Sequence, residues 1–490
     1  MPTTKPVAVM FAILIPFACA VDADAAIRYV RADLASGANN GTSWENAYRG
    51  AGGLAAALTA SVSGDQIWVA AGTYKPTTGA DRGVALTLKS GVGIYGGFNG
   101  TESKLAQRNV AANPTVVTGD LLGNDSGTAN LGDNSYHVFV GSGAASTAIL
   151  DGFTIRAGNA NGSSASNFDR GGGIIILNSG NPTIRNCTFI ANRCTFGGGA
   201  GYIFTAAATF RDCRFENNVG GSFGGAFDMN NVVASFERCV FVGNSAARAG
   251  ASESFGSSQT RYTNCVFRNN TATGSSGGGA LWIGTNSAVT ARNSTFVANS
   301  ATSLAGCIIN TGGISTVSNC ILWGNTGPGG ATVGNQLTNS GGSTTVTYTI
   351  LQGGFTGIGN LNTNPLFVDQ AGANYRLQPG SPAIDSGSNS MVPAGTTVDF
   401  DGLPRFIDDP AVVDSGNGTA PIVDRGAFER QLPPPPPCPA DLDGSGAVDA
   451  ADLAALLNGW GGSGAADLDG NGLVDAADLA SMLNAWGPCT

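Results

Sequence analysis

Two acidic loops near the C-terminus carry the residues best suited to chemistry. The sequence DLDGSGAVDAAD at 441–452 returns 26 residues later, at 467–478, as DLDGNGLVDAAD. Side-chain oxygens fall at loop positions 1, 3, 5, 9 and 12, with a glycine at position 6, where the loop must turn sharply. A hard cation such as calcium gathers roughly six to eight oxygens from such a loop. The predicted ligands, including backbone carbonyls at position 7, are Asp441, Asp443, Ser445, Ala447, Asp449 and Asp452, then Asp467, Asp469, Asn471, Leu473, Asp475 and Asp478.

The pattern after each loop predicts a short amphipathic helix, Leu453–Trp460 in the first copy and Leu479–Trp486 in the second. Position 12 is Asp instead of Glu, so its carboxylate reaches less far. Residues 438–490 contain eight Asp and no Lys or Arg, which accounts for most of the chain's net charge of −10. Because these carboxylates repel each other without a metal, folding of this segment is expected to depend on ion binding.

The duplicated loops resemble type I dockerins over essentially all of 438–490. This resemblance implies two bound Ca²⁺ ions and attachment to a cohesin-like partner. Loop positions 10 and 11, which often take part in dockerin recognition, are both alanine in each copy, Ala450-Ala451 and Ala476-Ala477. This departure also leaves open a different cell-surface or matrix partner. Cys438 and Cys489 bracket the segment, and their positions in an exported protein predict a disulfide that closes its ends.

The larger part of the chain is organised around a phrase that occurs six times between Asn186 and Thr326. Its copies, such as NCTFIAN at 186–192 and DCRFENN at 212–218, are 26 residues apart except for one step of 29. A fixed period of this length indicates a solenoid, whose units bury their apolar faces by stacking. Three short runs with strand periodicity, separated by corners, predict a right-handed parallel β-helix with coils roughly 4.8 Å apart.

Stacking places equivalent side chains in files along the solenoid. One file consists of asparagines, for which we expect a left-handed corner backbone and amide bonds between coils. A second file consists of cysteines with one serine, interpreted as small buried packing residues in preference to metal ligands or disulfides. The files are Asn192, Asn218, Asn244, Asn270, Asn299 and Asn325, and Cys187, Cys213, Cys239, Cys265, Ser294 and Cys320.

Four residues that follow the glycine runs are the catalytic and binding candidates of the solenoid. Asp228 and Glu253 are expected on neighbouring coils, as a pair of carboxylates that a glycoside hydrolase would need. Tyr202 and Trp282 flank them and could stack on sugar rings. The alternative is that all four are ordinary solvated side chains. His137 is the sole histidine, which excludes mechanisms that need two.

Several segments of the solenoid resemble secreted bacterial β-helix proteins, and the resemblance covers nearly all of 27–430. The GGA and FxxN phrases are also similar to those of polymorphic outer-membrane proteins, which implies surface display and adhesion. Many β-helices resemble pectate lyases or polysaccharide hydrolases, which implies a carbohydrate-degrading alternative. The segments that carry the resemblance are GTSWENAY at 41–48, IWVAAGTY at 67–74, GIYGGF at 93–98, LDGFTI at 150–155, NPLFVD at 364–369, SPAIDSG at 381–387 and DRGAFE at 424–429.

Composition breaks predict four regions: a signal peptide at 1–25, a β-helix at 26–432, a polyproline linker at 433–437 and the dockerin-like segment at 438–490. Lys5 followed by an apolar run from Val7 to Ala18 is typical of secretion, and no later run is long enough to span a membrane. The solenoid has no basic field for nucleic acid. We therefore expect a secreted protein that acts in adhesion or glycan contact, or alternatively a secreted polysaccharide-degrading enzyme.

Overall fold

The computed structural model describes residues 25–328, 330, 333–432 and 438–489. The predicted signal peptide, apart from residue 25, and the predicted linker at 433–437 lie outside these residues. The chain divides into two compact units, with the division between Arg430 and Gln431. No helix within the described ranges is long and apolar enough to cross a membrane.

The first unit is the predicted all-β, right-handed parallel β-solenoid. Each coil contributes up to three main strands, which form three faces in chain order. Face 1 follows the glycines, face 2 holds the second apolar run, and face 3 holds the Cys-x-Phe phrase. All pairings along the three faces are parallel, and equivalent residues of adjacent coils are in register, as in Ile155, Phe189 and Phe215.

The strands of faces 1 and 2 belong to one sheet of 19 strands, because the two strands Gly201–Arg211 and Phe227–Glu237 run through the corner between these faces without a break. The other strands of face 1 are Leu86–Thr87, Phe139–Val140, Ile174–Leu177, Ser252–Phe255, Leu281–Ile283, Ile308–Asn310 and Leu337–Asn339. The other strands of face 2 are Ile27–Arg31, Gln66–Ala70, Gly93–Phe98, Ile149–Asp151, Thr183–Arg185, Gln259–Thr263, Ala288–Arg292, Ile314–Ser318 and Ser343–Thr347, with Tyr48–Arg49 paired at the edge.

Face 3 is a separate sheet of ten strands. Its strands are Gly72–Tyr74, Thr115–Thr118, Thr154–Arg156, Thr188–Ile190, Arg214–Glu216, Val240–Val242, Val266–Arg268, Thr295–Val297, Ile321–Trp323 and Ile350–Leu351. Two-residue strands follow the corner after face 3 at Asn159–Ala160, Arg193–Cys194, Ser245–Ala246, Thr271–Ala272 and Ser300–Ala301. An antiparallel pair, Phe367–Asp369 with Asn374–Leu377, lies beyond the last coil. Short 3-10 turns occupy Leu105–Gln107, Leu131–Asp133, Ser164–Ser166 and Asn389–Met391.

The interior of the solenoid contains a stack of aromatic rings. The ring centroids of Phe189 and Phe215 are 5.4 Å apart, and Phe267 stacks on Phe241 and on Phe296 with separations of 4.5 Å. These side chains are fully buried. Aromatic pairs of this kind contribute about 0.5–1.5 kcal/mol each beyond the burial of their area. The repeat of Phe on face 3 is therefore explained by packing between coils.

The cysteine file is buried and its thiols are free, as the packing interpretation predicts. The asparagine file forms a continuous ladder: Asn192 Nδ2 donates to Asn218 Oδ1 at 3.1 Å, and Asn218 Nδ2 donates to Asn244 Oδ1 at 3.0 Å. The prediction of a left-handed backbone at these asparagines is wrong. The left-handed conformation belongs to the preceding residue, such as Ala191 or Asn217, because the file asparagine must point its amide inward.

The glycines of the repeat are required by close approach of the coils. A Cβ atom added to Gly250 would lie 2.0 Å from the carbonyl oxygen of Gly279, and one added to Gly279 would lie 2.0 Å from that of Gly306. Real Cβ atoms do not approach backbone oxygens this closely. The glycine run before each face 1 strand therefore lets consecutive coils touch through their backbones.

The first coils of the solenoid are covered by a helix. Helix α1 (Gly53–Ala60) packs Leu54 and Leu58 against them. Helix α2 (Val333–Gln336) precedes the last face 1 strand. The segment after the last coil folds back along the solenoid, where Asn264 Nδ2 donates to the Val398 carbonyl at 2.8 Å.

The second unit contains helices α3 (Ala450–Asn458) and α4 (Ala476–Asn484), and a pair of short antiparallel strands, Ala447–Val448 and Gly487–Pro488. Both helices begin three residues before the predicted start and end two before the predicted end. The physical reason is a capping box, in which Asp449 and Asp475 accept bonds from the first helical turn. Cys438 and Cys489 are bonded to each other, with their Cα atoms 5.8 Å apart.

Candidate functional site

The two acidic loops of the second unit each bring three carboxylates together. One oxygen from each of Asp441, Asp443 and Asp452 lies within 4.8 Å of the others. The second loop repeats this arrangement with Asp467, Asp469 and Asp478. Because residues 438–490 contain no Lys or Arg, no side-chain cation of this segment balances these groups. The donor set is hard and all-oxygen, which fits Ca²⁺.

Backbone amides hold the carboxylates of the first loop in place. Asp441 accepts bonds from the amides of Ser445 and Gly446, at 3.0 and 2.8 Å. Asp452 Oδ1 accepts from Leu442 N at 2.7 Å, and its Oδ2 accepts from Asp449 N at 2.8 Å. The bond from the Asp449 amide is the largest cause of a lowered pKa at Asp452, so this carboxyl is ionised at neutral pH.

The remaining predicted ligands lie around these triads in different roles. Ser445 Oγ donates to the Ala447 carbonyl at 3.1 Å, so positions 5 and 7 are adjacent. Asp449 instead caps helix α3, with its carboxylate accepting from Ala451 N at 2.8 Å. The second loop follows the same plan: Asn471 Nδ2 donates to Asp469, and the Asp475 carboxylate caps helix α4, while Leu473 occupies position 7.

The four candidates of the solenoid occupy one register position on face 1. Tyr202 pairs with Asp228, Asp228 with Glu253, and Glu253 with Trp282 on successive coils. The expectation that these are solvated side chains is wrong for the two acids, since Asp228 and Glu253 are both 0 % exposed. Neither acid presents its carboxyl group to a polymer in this conformation.

Arg170 and Arg248, together with Phe196 and Phe223, cover this file of side chains. The guanidinium of Arg170 lies over the rings of Phe196 and Tyr202, with its carbon 4.2 and 5.0 Å from the centroids. Arg248 lies over Phe223 and Trp282 in the same way, at 4.3 and 4.1 Å. These residues come from the segments that precede each glycine run, and sequence periodicity could not reveal that they fold back over face 1.

The two buried acids are in different electrostatic situations. Arg248 forms a two-point ion pair with Glu253, through Nε at 3.0 Å and through Nη2. Neither carboxyl oxygen of Asp228 has a hydrogen-bond partner among the described residues. Burial, and then the nearby charge of Glu253, raises the pKa of Asp228 well above its usual value. The surroundings of Asp228 thus favour its neutral form over its ionised form.

A cavity of about 560 Å³ that was not predicted lies between the irregular loop at 119–135 and face 3. Its lining includes Arg156 and Arg193 together with Asp125. An adjoining cavity adds Lys75 and Asp120. Basic and acidic groups thus meet at an open surface here. These residues lie in the less regular coils, where no repeat pattern marks them.

No protein-family model matches the sequence, and no curated protein matches it. Among solved structures, the chain is similar to one described as the crystal structure of pectate lyase Pel9A. The two are 17% identical, the similarity covers 84% of this chain and 97% of that one, and the TM-score is 0.42. A similarity of this size concerns the fold alone, and no catalytic or binding residue of this chain is assigned from it.

Proposed function

We propose that the protein is an exported β-solenoid that attaches to a cohesin-like or other cell-surface partner through a calcium-binding module at 438–490, and acts in adhesion or glycan contact. The observation that carries this proposal is the convergence of three aspartates in each of two equivalent loops, within 4.8 Å in both. A pair of such loops with no internal cation has a clear chemical use in holding two Ca²⁺ ions.

Calcium couples to the fold of this module through the helix starts. Asp452 accepts three backbone bonds at the start of helix α3, and Asp478 does the same at helix α4. An ion bound by these aspartates would therefore fix both the loop and the helix that follows. In its absence, eight carboxylates remain unbalanced within 53 residues.

Exposed apolar side chains at and just beyond the ends of helices α3 and α4 are suited to a protein partner. Trp460 and Trp486 occupy equivalent positions 26 residues apart and are 47% and 48% exposed. Leu457 and Leu483, three residues before them, are also exposed. Exposed aromatic residues on a small module are typical of docking surfaces. The alanines at loop positions 10 and 11 leave these side chains as the larger features available for recognition.

The role in adhesion or glycan contact rests on the character of the solenoid. The asparagine ladder and the aromatic stack join adjacent coils along its length, which gives a rigid scaffold. The predicted carboxylate pair on face 1 is closed by Arg170 and Arg248 and has no access to a polymer. Because the acid pair at this position is not accessible, we favour a role in surface display over catalysis.

Isothermal titration calorimetry with CaCl₂ on the metal-depleted full chain tests the proposal. The two loops are expected to contribute two strongly bound ions per chain. The double variant Asp441→Ala with Asp467→Ala should lose both, while Ser463→Ala, an exposed residue between the loops, should keep both. Unchanged binding in the double variant contradicts the proposal.

A polysaccharide-degrading activity is a second candidate, and the cavity beside face 3 favours it. A lyase needs a basic side chain to remove a proton from the sugar and a cationic or metal environment that stabilises the resulting charge. Lys75, Arg156 and Arg193 lie there beside Asp120 and Asp125. The notable feature is that Arg156 and Arg193 have no ion-pair partner in the described part of the chain.

A panel of polysaccharides, with unsaturated-sugar absorbance and reducing ends as readouts, discriminates the two functions. Activity lost in Lys75→Ala and in Arg156→Ala, and kept in Arg261→Ala, places the activity at this cavity. Arg261 is an exposed residue of face 2 and serves as the matched control. If activity is lost instead in Glu253→Ala, it lies on face 1, and the conclusion that this buried acid has no access to a polymer is contradicted.

A further inference from the structure

Three aspartates come together in the segment that follows the last coil and packs along the outer side of face 3. Asp385 belongs to the SPAIDSG segment at 381–387, whereas Asp408 and Asp414 belong to the loop at 407–416. One carboxylate oxygen of each lies within 4.8 Å of the others. Asp408 and Asp414 are exposed, so the cluster opens to solvent on one side.

Asp385 provides a second and different observation. Its side chain is 0 % exposed, and Oδ1 has no hydrogen-bond partner among the described residues. The other oxygen, Oδ2, accepts from the Asp409 amide at 3.2 Å. A fully buried carboxylate oxygen that faces two further carboxylates is costly unless a positive ligand balances it.

The nearby arginines make their direct contacts with other groups. Arg430 forms its ion pair with Asp409, and Arg405 is 3.6 Å from the Glu429 carboxylate. Arg425 donates hydrogen bonds from Nε and Nη2 to the Ser386 carbonyl oxygen. None of the three makes an ion pair with Asp385 in the described structure.

We propose that Asp385, Asp408 and Asp414 bind a hard divalent cation of the calcium class. Carboxylate oxygens from one buried and two exposed aspartates suit such an ion, which completes its coordination with water or backbone carbonyls. The Asp385 carbonyl accepts from Ser415 N and Gly416 N, at 2.9 and 3.1 Å, so the loop already wraps around this residue. The cation fastens the loop at 407–416 onto the SPAIDSG segment.

This site is independent of the proposed calcium module, and the experiment keeps the two apart. Binding of ⁴⁵Ca²⁺ is measured by equilibrium dialysis on the full chain that carries Asp441→Ala and Asp467→Ala. One ion per chain is expected to remain. Adding Asp408→Asn with Asp414→Asn should weaken its binding about tenfold or more. These two residues are exposed, so their replacement leaves the fold intact.

Two further variants make the result decisive. Asp385→Asn should abolish binding of the remaining ion. Asp369→Asn, at an exposed position elsewhere in the segment after the last coil, should leave this binding unchanged. In parallel, Ca²⁺ should raise the melting temperature of the solenoid transition only in chains with all three ligands. No bound ion, or an ion that survives Asp408→Asn with Asp414→Asn, overturns the proposal. In either case the two sites of the C-terminal module are still counted separately in the unmodified chain.

Discussion

Asp228 and Glu253 stand opposite each other on adjoining coils of face 1, yet only Glu253 has a guanidinium partner. The two acids are equally buried. The difference arises because Arg248 reaches Glu253 and also lies over Trp282. Asp228 has the aromatic ring of Tyr202 on one side and the ion pair on the other, and this setting disfavours its ionised form.

The first prediction concerns the pH dependence that follows from Asp228. Its pKa is raised by burial and by Glu253, so its contribution to stability is fully present below the unfolded-state value of about 4 and is lost as pH rises through the folded-state pKa. Asp228→Asn removes this penalty. At pH 8 the variant should be about 1 kcal/mol or more stable than the unsubstituted protein in urea unfolding.

The advantage of Asp228→Asn should shrink towards pH 4, where the aspartate is neutral in both states. Asp369→Asn, at an exposed position, serves as the control and should show no such trend. Greater stability of the unsubstituted protein at pH 8 would mean that Asp228 is ionised and has a partner that the described structure lacks.

The second prediction concerns the asparagine ladder. Asn244 accepts from Asn218 N and Asn218 Nδ2, and donates to the Phe215 carbonyl and to Asn270 Oδ1, all at 2.9–3.0 Å. Asn244→Ala leaves these buried partners unsatisfied. The free energy of unfolding should fall by about 3 kcal/mol or more. Denaturant unfolding should show a change within about 0.5 kcal/mol for Arg261→Ala, whose side chain is exposed.

The third prediction concerns the glycine runs. A methyl group at position 250 would meet the Gly279 carbonyl at 2.0 Å, so the coils must separate locally. Gly250→Ala should lower the free energy of unfolding by about 2–4 kcal/mol. Gly132→Ala is the matched control, because an added Cβ at Gly132 meets no atom within 4 Å. Equal stability of the two variants would contradict the close approach of the coils.

Repetition made the solenoid predictable from sequence. Each file of equivalent residues, such as Phe189 with Phe215, follows from a fixed period and from the strand alternation within it. The left-handed corner was placed one residue too late, because the period shows that an asparagine recurs but not whether its side chain or its backbone is needed. The face 1 candidates were identified as neighbours in one file.

The covering layer and the closing segment could not be predicted, because they depend on contacts without a period. Arg170 and Arg248 lie in irregular segments, and their contacts with the rings of face 1 depend on how these segments fold back. The SPAIDSG and DRGAFE segments pack together, with Asp385 N donating to Asp424 Oδ1 at 2.7 Å across 39 residues. No sequence pattern in either segment predicts that Asp385 and Asp424 are in contact.

The last prediction concerns metal removal from the C-terminal module. Chelation of Ca²⁺ from the full chain should unfold residues 438–489 while the solenoid keeps its far-UV circular dichroism, because the solenoid has its own core. Trp460 and Trp486 are half exposed in the folded module and should shift to longer emission wavelengths when helices α3 and α4 are lost. The shift should reverse on addition of CaCl₂ and be absent from the variant with Asp441→Ala and Asp467→Ala.

Trp460→Phe with Trp486→Phe should remove the signal without removing the bound ions, which separates the reporter from the site. If the emission spectrum does not change with the chelator in a chain whose two loops bind ions by calorimetry, the Cys438–Cys489 bond and the small core around Leu456 and Met482 hold the module together without metal.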